Sequence, residues 1–73
     1  MLTSASFTDG DHVRVNDGVS RSLGIVHPDI DGWVGRVTSL RATTIEGLLC
    51  SVVFADKHVE MWLNVDDLTK VSP

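Results

Sequence analysis

The sequence predicts a small all-β barrel of five short strands, with a long first loop and one short helical turn before the last strand. Its 73 residues are enough for one domain. Valine recurs from Val13 to Val71, and β-branched side chains favour strands. Several short segments alternate apolar and polar residues, which is the pattern of a half-buried strand, whereas no segment has the period of a long amphipathic helix.

The first strand is predicted after a loose N-terminal segment. Small polar side chains dominate residues 1–8, so we expect a flexible leader there and a single folded domain over residues 9–73. Phe7 could still pack as a lid over the core. Residues 12–16 alternate cleanly, with two valines on one face, and therefore predict a half-buried strand.

A long first loop and a second strand follow. Residues 17–31 have no clear period, and a loop of this length in so small a domain is typical of a functional segment. Gly32 to Leu40 alternates again, with Trp33, Gly35 and Val37 on one face. Because a glycine inside a strand marks a bulge, a bend or a close approach of two backbones, we expect Gly35 to lie at such a point.

The last three strands complete the predicted sheet. Residues 41–47 are expected to form a hairpin connection, and residues 48–55 are apolar on both faces, which indicates a central third strand. Residues 58–63 alternate as the fourth strand, and Asn64 is expected to cap the single helical turn. Residues 68–71 then form the fifth strand.

The charge balance favours a protein partner. Ten acidic residues outnumber six basic ones, which gives a net charge of −4. A protein that binds by neutralising phosphates carries the opposite balance, so nucleic acid is disfavoured. A protein partner with a basic surface fits this charge better.

Cysteine usage and hydropathy narrow the class of protein further. Cys50 is the only cysteine, so the chain can form no internal disulfide and no cysteine-based zinc site, and its strand indicates a buried, inert thiol. A single cysteine fits a reducing cytosol, and the first seven residues lack a signal-peptide pattern, so we expect a cytoplasmic protein. No apolar stretch approaches the roughly 20 residues of a membrane span.

Short strings along the chain resemble the small barrel of the Src-homology-3 type. They are Gly10-Asp11-His12-Val13-Arg14-Val15, Gly32-Trp33-Val34-Gly35-Arg36-Val37, Val52-Val53-Phe54, Trp62 and Asp66-Asp67-Leu68. The resemblance covers about residues 10 to 71 and implies a five-stranded SH3-like barrel. Because such strings recur in unrelated barrels, they specify fold far better than function.

Two families within that fold imply binding functions. The variable chain of ferredoxin-thioredoxin reductase is similar in its Gly-Asp opening, in a His-Pro pair matched by His27-Pro28, and in a Gly-x-x-Gly-x-Val strand. It implies a non-catalytic partner that clasps an enzyme subunit. The KOW motif is similar in Gly10-Asp11-x-Val13-x-Val15 and Gly32-x-x-Gly35-x-Val37, and implies a barrel that binds RNA or ribosomal protein. The two halves of that motif lie further apart in this chain.

Plasmid-borne type II dihydrofolate reductase is a third similar family. Its Gly-Asp-Arg-Val-Arg opening and its pore-lining Val-Gln-Ile-Tyr segment are similar to residues 10–14 and to Val59-Glu60-Met61-Trp62. The resemblance implies a symmetric tetrameric enzyme with Glu60 to Trp62 at its axis. Glu60 replaces the glutamine and no lysine follows the first strand, and both departures argue against binding of folate and NADPH.

One set of surface candidates fits a protein partner. We expect His58, Glu60 and Trp62 to lie in a row on one face of the fourth strand, either as a docking stripe or as an ordinary solvated face. Trp33 and Trp62 are expected near the barrel openings, as binding surfaces or as caps of the core. The full set of protein-binding candidates is Trp33, His58, Glu60, Trp62, Asp66 and Asp67.

A second set of candidates would serve a nucleic-acid ligand. His12 and Arg14 are expected to point outward from the first strand, and with Arg36 they would form a basic strip. Arg41 is expected to cluster with Arg14 and Arg36. Binding through such a cluster would weaken steeply with salt.

The remaining polar clusters have simpler interpretations. Asp66 and Asp67 could act as an acid–base pair, but they more simply place negative charge at the start of a helical turn. His27, Asp29 and Asp31 alternate in the long loop without a recognised metal spacing, so turn chemistry accounts for them. The sequence therefore predicts no metal, no cofactor and no enzymatic activity.

The favoured function is a non-catalytic protein-binding module, or an accessory or regulatory subunit. A regulatory variant, in which an acidic barrel mimics DNA on the surface of a repressor, stays open. The alternatives are a nucleic-acid-binding KOW-like barrel and, less favoured, an oligomeric enzyme like type II dihydrofolate reductase. A homo-oligomer is also open, because a chain this short buries only about 60% of the surface that its unfolded form exposes.

Overall fold

Five antiparallel strands form one sheet in the order β4-β3-β2-β1-β5. The structure is a computed structural model that describes residues 7–25 and 29–71, so His27 and Pro28 lie outside the described residues. The strands are β1 His12–Val15, β2 Val34–Thr43, β3 Gly47–Phe54, β4 Val59–Asn64 and β5 Leu68–Lys70, joined by helix α1 Val19–Leu23 and by 3₁₀ turns Ala55–Lys57 and Val65–Asp67. The predicted all-β fold, with a helical turn before the last strand, is confirmed.

The hairpin between β2 and β3 is longer than the sequence predicts. Residues 41–43 were expected in the connection, but Arg41 pairs with Leu49 and Thr43 pairs with Gly47, so both strands continue to a three-residue turn. The Thr43 hydroxyl holds this turn, since it accepts from the Glu46 N–H at 2.9 Å and donates to the Gly47 carbonyl at 3.1 Å. Alternation fails as a signal here because most of the hairpin end is exposed on both faces.

The long first loop contains a helix that the sequence did not predict. Helix α1 lies between two left-handed glycines, Gly18 at φ 93° and Gly24 at φ 75°. Its start is capped by a side chain from the far end of the loop, because the Asp31 carboxylate accepts from the N–H groups of Gly18 at 2.7 Å and Ser20 at 2.9 Å. A five-residue helix capped from thirteen positions away carries no periodic signal of its own.

The core lies on one face of the sheet. Its buried apolar residues are Phe7, Val13, Val15, Val19, Ile30, Val37, Cys50, Val52, Phe54, Leu63, Val65 and Leu68. The strand residues among them follow the predicted alternation, as on β3, where Cys50, Val52 and Phe54 face inward. Phe7, at the end of the expected leader, packs in this core, and residues 1–6 lie outside the described residues.

Gly35 marks a close approach of β2 and β3, as its position inside a strand predicted. A Cβ atom at this residue would lie 2.6 Å from the Val53 carbonyl oxygen, 2.7 Å from the Val52 side chain and 2.8 Å from the Phe54 ring. No real Cβ atom is tolerated at such distances, so the two strands can approach this closely only over a glycine.

The sheet is curled, because its two edge strands are consecutive along the chain. Three residues of 3₁₀ turn connect the end of β4 to the start of β5. Four Cα–Cα steps reach at most about 15 Å, whereas a flat five-stranded sheet would separate its edges by about 19 Å.

Among the described residues, no helix is long and apolar enough to cross a membrane.

Candidate functional site

The outer face of β4 presents Glu60 and Trp62, but His58 does not join them as predicted. His58 has φ 57°, which is the left-handed region, and its N–H donates to the Ala55 carbonyl at 3.2 Å. It therefore closes the 3₁₀ turn that precedes β4, and the strand starts only at Val59. The expected three-residue row is thus a pair, because the turn needs a residue in this conformation at position 58.

Trp62 is the large aromatic residue of this face. Its side chain is 47% exposed, and it lies opposite Ser51 in the β3–β4 register. The guanidinium carbon of Arg41, from the neighbouring hairpin end, lies 5.4 Å from the centroid of the indole ring. That geometry is a cation–π contact, in which Arg41 lies over one face of the indole ring.

Glu60 is held in place by a hydroxyl group of the same face. One carboxylate oxygen accepts from the Ser51 hydroxyl at 2.8 Å, and the Thr38 hydroxyl, which lies 3.3 Å from the Ser51 carbonyl, is 3.5 Å from the same oxygen. Thr38 lies at a β-bulge in β2, between Val37 and Ser39, which turns it toward Glu60. The carboxylate is therefore an anchored negative charge two residues from Trp62.

A groove of about 410 Å³ lies at the C-terminal end of β4, and we call it the Trp62 groove. Its apolar wall includes Leu23 of α1, whose side chain is 49% exposed, together with Leu49 and Trp62. Exposed Leu23 and Trp62 thus line one concavity, and apolar and aromatic linings are typical of ligand pockets. The groove is lined by Leu23, Glu46, Leu49, Trp62, Leu63, Asn64 and Asp67.

The polar rim of the Trp62 groove is acidic. Glu46 comes from the β2–β3 turn and Asp67 from the 3₁₀ turn after β4. Asn64 joins the two turns, since its amide nitrogen donates to the Glu46 carbonyl and its side-chain oxygen accepts from the Asp66 N–H at 2.8 Å. The predicted Asn64 cap is thus confirmed, and it fixes both carboxylate-bearing turns beside Trp62. Asp66 itself is exposed and lines a separate hollow with Asn16 and Asp67.

Trp33 occupies a different environment and does not line the groove. Its ring packs edge-to-face on the Phe54 ring, with centroids 5.4 Å apart at 70°. The ammonium group of Lys57 lies 5.2 Å from the Trp33 ring centroid. Trp33 is partly buried against the core cluster, so its contacts are those of a cap over the core.

The structure brings together three of the four nucleic-acid candidates. His12 and Arg36 are directly paired across β1 and β2, and Arg14 lies two residues from His12 on the same outer face. Arg41 was expected to join Arg14 and Arg36, but it lies five residues beyond Arg36 along β2, a distance of about 17 Å in an extended strand. It contacts Trp62 instead, because the longer hairpin carries it away from the strip.

The basic strip formed by His12, Arg14 and Arg36 is partly neutralised. Arg14 makes an exposed ion pair with Asp17 at 3.3 Å. His12 and Arg36 line a shallow hollow of about 380 Å³ that also includes Asp56. Each basic group of the strip therefore shares its surroundings with a carboxylate.

Three other residues that the sequence singled out take part in hydrogen bonds of the fold or in core packing: Asp29, Asp31 and Cys50. Hydrogen bonds from the N–H groups of Ser20 and Gly18 lower the pKa of Asp31, and Asp29 accepts from the Asp31 N–H at 3.0 Å. Burial raises the pKa of the Cys50 thiol. Within residues 7–25 and 29–71, no three metal-ligating side chains come together.

Leu23, Glu46 and Leu49 are groove residues that the sequence did not single out. Leu23 lies in the segment without a period, and its exposure depends on the helix that Asp31 caps. Glu46 follows from the position of the hairpin turn, which the sequence placed only approximately. Leu49 lies in a strand that is apolar on both faces, so alternation alone did not show which face is buried. The register that pairs Leu49 with Asn64 places it near Trp62.

No protein-family model, curated protein or solved structure matches this chain.

Proposed function

We propose that this protein is a non-catalytic protein-binding module, acting as an accessory or regulatory subunit, and that it binds its partner through the Trp62 groove. The observation that carries the proposal is a half-exposed tryptophan in a concave surface with apolar walls and two rim carboxylates. Tryptophan is enriched among the residues that dominate binding energy, especially where a pocket excludes water around it.

The chemistry of the groove defines the class of partner. Glu46 and Asp67 line it, Glu60 lies two residues from Trp62, and the whole chain carries a net charge of −4. A partner segment with lysine or arginine beside apolar side chains is complementary to this surface, and the long-range field would steer it there. The contact of Arg41 with the indole ring supports the same class, because a partner cation could occupy an equivalent position.

The anchored position of Glu60 also fits a binding role. Its carboxylate accepts from the Ser51 hydroxyl at 2.8 Å, which orients the charge on the outer face of the sheet. Asp66 and Asp67 lie in the first turn of a capped 3₁₀ segment, where negative charge is favourable. These contacts account for the carboxylates without assigning any of them an acid–base role.

The experiment is a selection of random decapeptides displayed on phage against the full chain. We expect enriched peptides to combine basic and apolar residues and to lose affinity at least about tenfold for Trp62→Ala. The matched control is Arg36→Gln. It removes a positive charge from the basic strip, which does not line the groove, and should leave the affinity unchanged. Peptides that bind Trp62→Ala as tightly as the wild type, or no enrichment at all, would overturn the proposal.

A nucleic-acid function is the second candidate, and one observation favours it. The β1–β2 register pairs His12 with Arg36 and leaves Arg14 on the same face. Fluorescence anisotropy with single-stranded RNA and DNA at low salt tests it. Binding that is released by salt and lost in Arg36→Gln would replace the groove as the functional surface, whereas the groove proposal predicts no such binding.

A further inference from the structure

The two edge strands of the sheet differ in how they are protected. β5 has three residues, and its Lys70 makes an ion pair with Asp11 at 3.3 Å. β4 has six residues and contains neither lysine nor proline. Natural sheets guard exposed edges with short strands, lysine or proline, because an unguarded edge can pair with another chain. β5 combines two of these features, whereas β4 is longer and its charged residue is Glu60.

The Trp62 groove lies at the edge of β4. Trp62 and Asn64 of this strand line it, together with Leu23 of α1. In the described part of the chain, β3 is the strand that pairs with β4, so the other side of β4 is an edge of the sheet.

We infer that the partner segment binds as an added β-strand along the C-terminal half of β4, on the side of this strand that does not pair with β3. The inference rests on the proposed function and specifies how that surface works. Main-chain hydrogen bonds to the β4 edge would supply affinity, and alternating side chains would supply specificity. The set on the outer face would contact Trp62, and the segment would also lie against Leu23, which lines the groove.

Charge identifies the occupant as an extended basic segment rather than a second copy of this chain. Glu60 lies on β4 itself, and Glu46 and Asp67 line the groove. Pairing of β4 with β4 of a second copy would bring two sets of these carboxylates together, and like charges across paired strands are destabilising. A strand with lysine or arginine at alternate positions places opposite charges against them.

The test uses the full isotope-labelled chain and the peptide acetyl-Lys-Val-Thr-Val-Lys-Val-amide at millimolar concentration. Strand addition predicts chemical-shift changes along β4 and at Leu23. It also predicts slower hydrogen exchange for the β4 amides that do not bond to β3. The peptide methylated at alternate backbone nitrogens keeps the side chains but loses donors, so we expect its affinity to fall at least about tenfold. Trp62→Ala should weaken binding of the unmethylated peptide.

The outcomes separate this inference from the function on which it rests. Equal binding of the two peptides, with shifts at Trp62, would overturn strand addition while leaving the groove as a protein-binding site. Absence of any shift with either peptide would overturn strand addition, and the decapeptide selection would then decide the proposed function separately. Equal binding of the counterpart with glutamate in place of lysine would overturn the assignment of a basic occupant.

Discussion

The two tryptophans of this chain have the same residue type but occupy contrasting environments. Trp33 packs edge-to-face on Phe54 and lies against the core, with Lys57 over its ring. Trp62 is nearly half exposed at the edge of the sheet, with Arg41 over its ring. Trp33 therefore stabilises the fold, whereas Trp62 is available for binding. In both cases a cationic side chain lies over one face of the ring.

Position in the sheet, rather than residue type, decides the role of an aromatic side chain in this protein. Trp33 precedes β2, an inner strand, and its ring meets the core ring of Phe54. Trp62 lies on the outer face of an edge strand, so a partner can reach it from the face and from the open side.

The largest loss of stability is expected for Gly35→Ala, beside the Phe54 ring on which Trp33 packs. The added methyl group would lie 2.6 Å from the Val53 carbonyl oxygen, which is backbone and cannot rotate away. We expect a loss of about 3 kcal/mol in the free energy of unfolding, since overpacking a close strand approach forces the backbones apart. Urea denaturation followed by circular dichroism measures it. A loss of stability below the error of the method would contradict the close packing described around Gly35.

A smaller but clear loss is expected for Trp33→Ala. Removing a partly buried indole from its contact with Phe54 should lower the free energy of unfolding by about 2–3 kcal/mol, which is less than for a fully buried tryptophan. The same denaturation experiment measures this change. If peptide binding were lost while stability stayed the same, the roles assigned to the two tryptophans would have to be exchanged.

Acidification is expected to destabilise helix α1, which contributes Leu23 to the Trp62 groove, because it protonates the Asp31 carboxylate that caps the helix. Hydrogen bonds from Ser20 and Gly18 lower its pKa below the ordinary 3.8, so the carboxylate favours folding when it is ionised. That contribution is present above an unfolded pKa of about 3.9 and disappears as pH falls through the lower folded value.

Asp31→Asn is therefore expected to be less stable at neutral pH and to lose less stability on acidification. Chemical denaturation at neutral and strongly acidic pH measures both quantities. Asp9→Asn, an exposed carboxylate in the turn before β1, is the matched control. An unchanged pH dependence in Asp31→Asn would contradict the capping role of this residue.

A gain in stability is expected for His58→Gly, at the turn beside Lys57. His58 is the non-glycine residue with positive φ among the described residues, and that conformation costs a side chain energy. Glycine removes this cost but adds freedom to the unfolded chain, so the net gain should be about 0.5–1 kcal/mol. Thermal unfolding would reveal it as a higher midpoint, and a lower midpoint would show that the imidazole makes a stabilising contact.

The sequence predicts the strands where one face is buried and fails where both faces are exposed. Val13, Val15 and Val37 alternate with polar residues because the core selects one side of each strand, and the structure confirms those positions. Ala42 and Thr43 carry no such signal, since that end of the hairpin is not sandwiched against the core. The length of the hairpin, and with it the displacement of Arg41, therefore could not be predicted.

The candidate site was predicted in part for a similar reason. Trp62 and Glu60 follow from alternation within one strand, whereas Leu23 and Glu46 reach the groove only through long-range contacts. The Asp31 cap that supports α1 spans eleven residues to Ser20, and no local pattern encodes such a pairing. His58 was misplaced because alternation alone cannot show that a turn requires a left-handed residue.

The central claim is that the Trp62 groove binds a partner and contributes little to folding. Parallel measurement of peptide affinity and unfolding free energy for Trp62→Ala tests it most directly, with a decapeptide selected on the wild-type chain as the ligand. We predict that the affinity falls at least about tenfold, while the free energy of unfolding changes by less than about 1 kcal/mol. An unchanged affinity, or a loss of stability as large as that expected for Trp33→Ala, would contradict the claim.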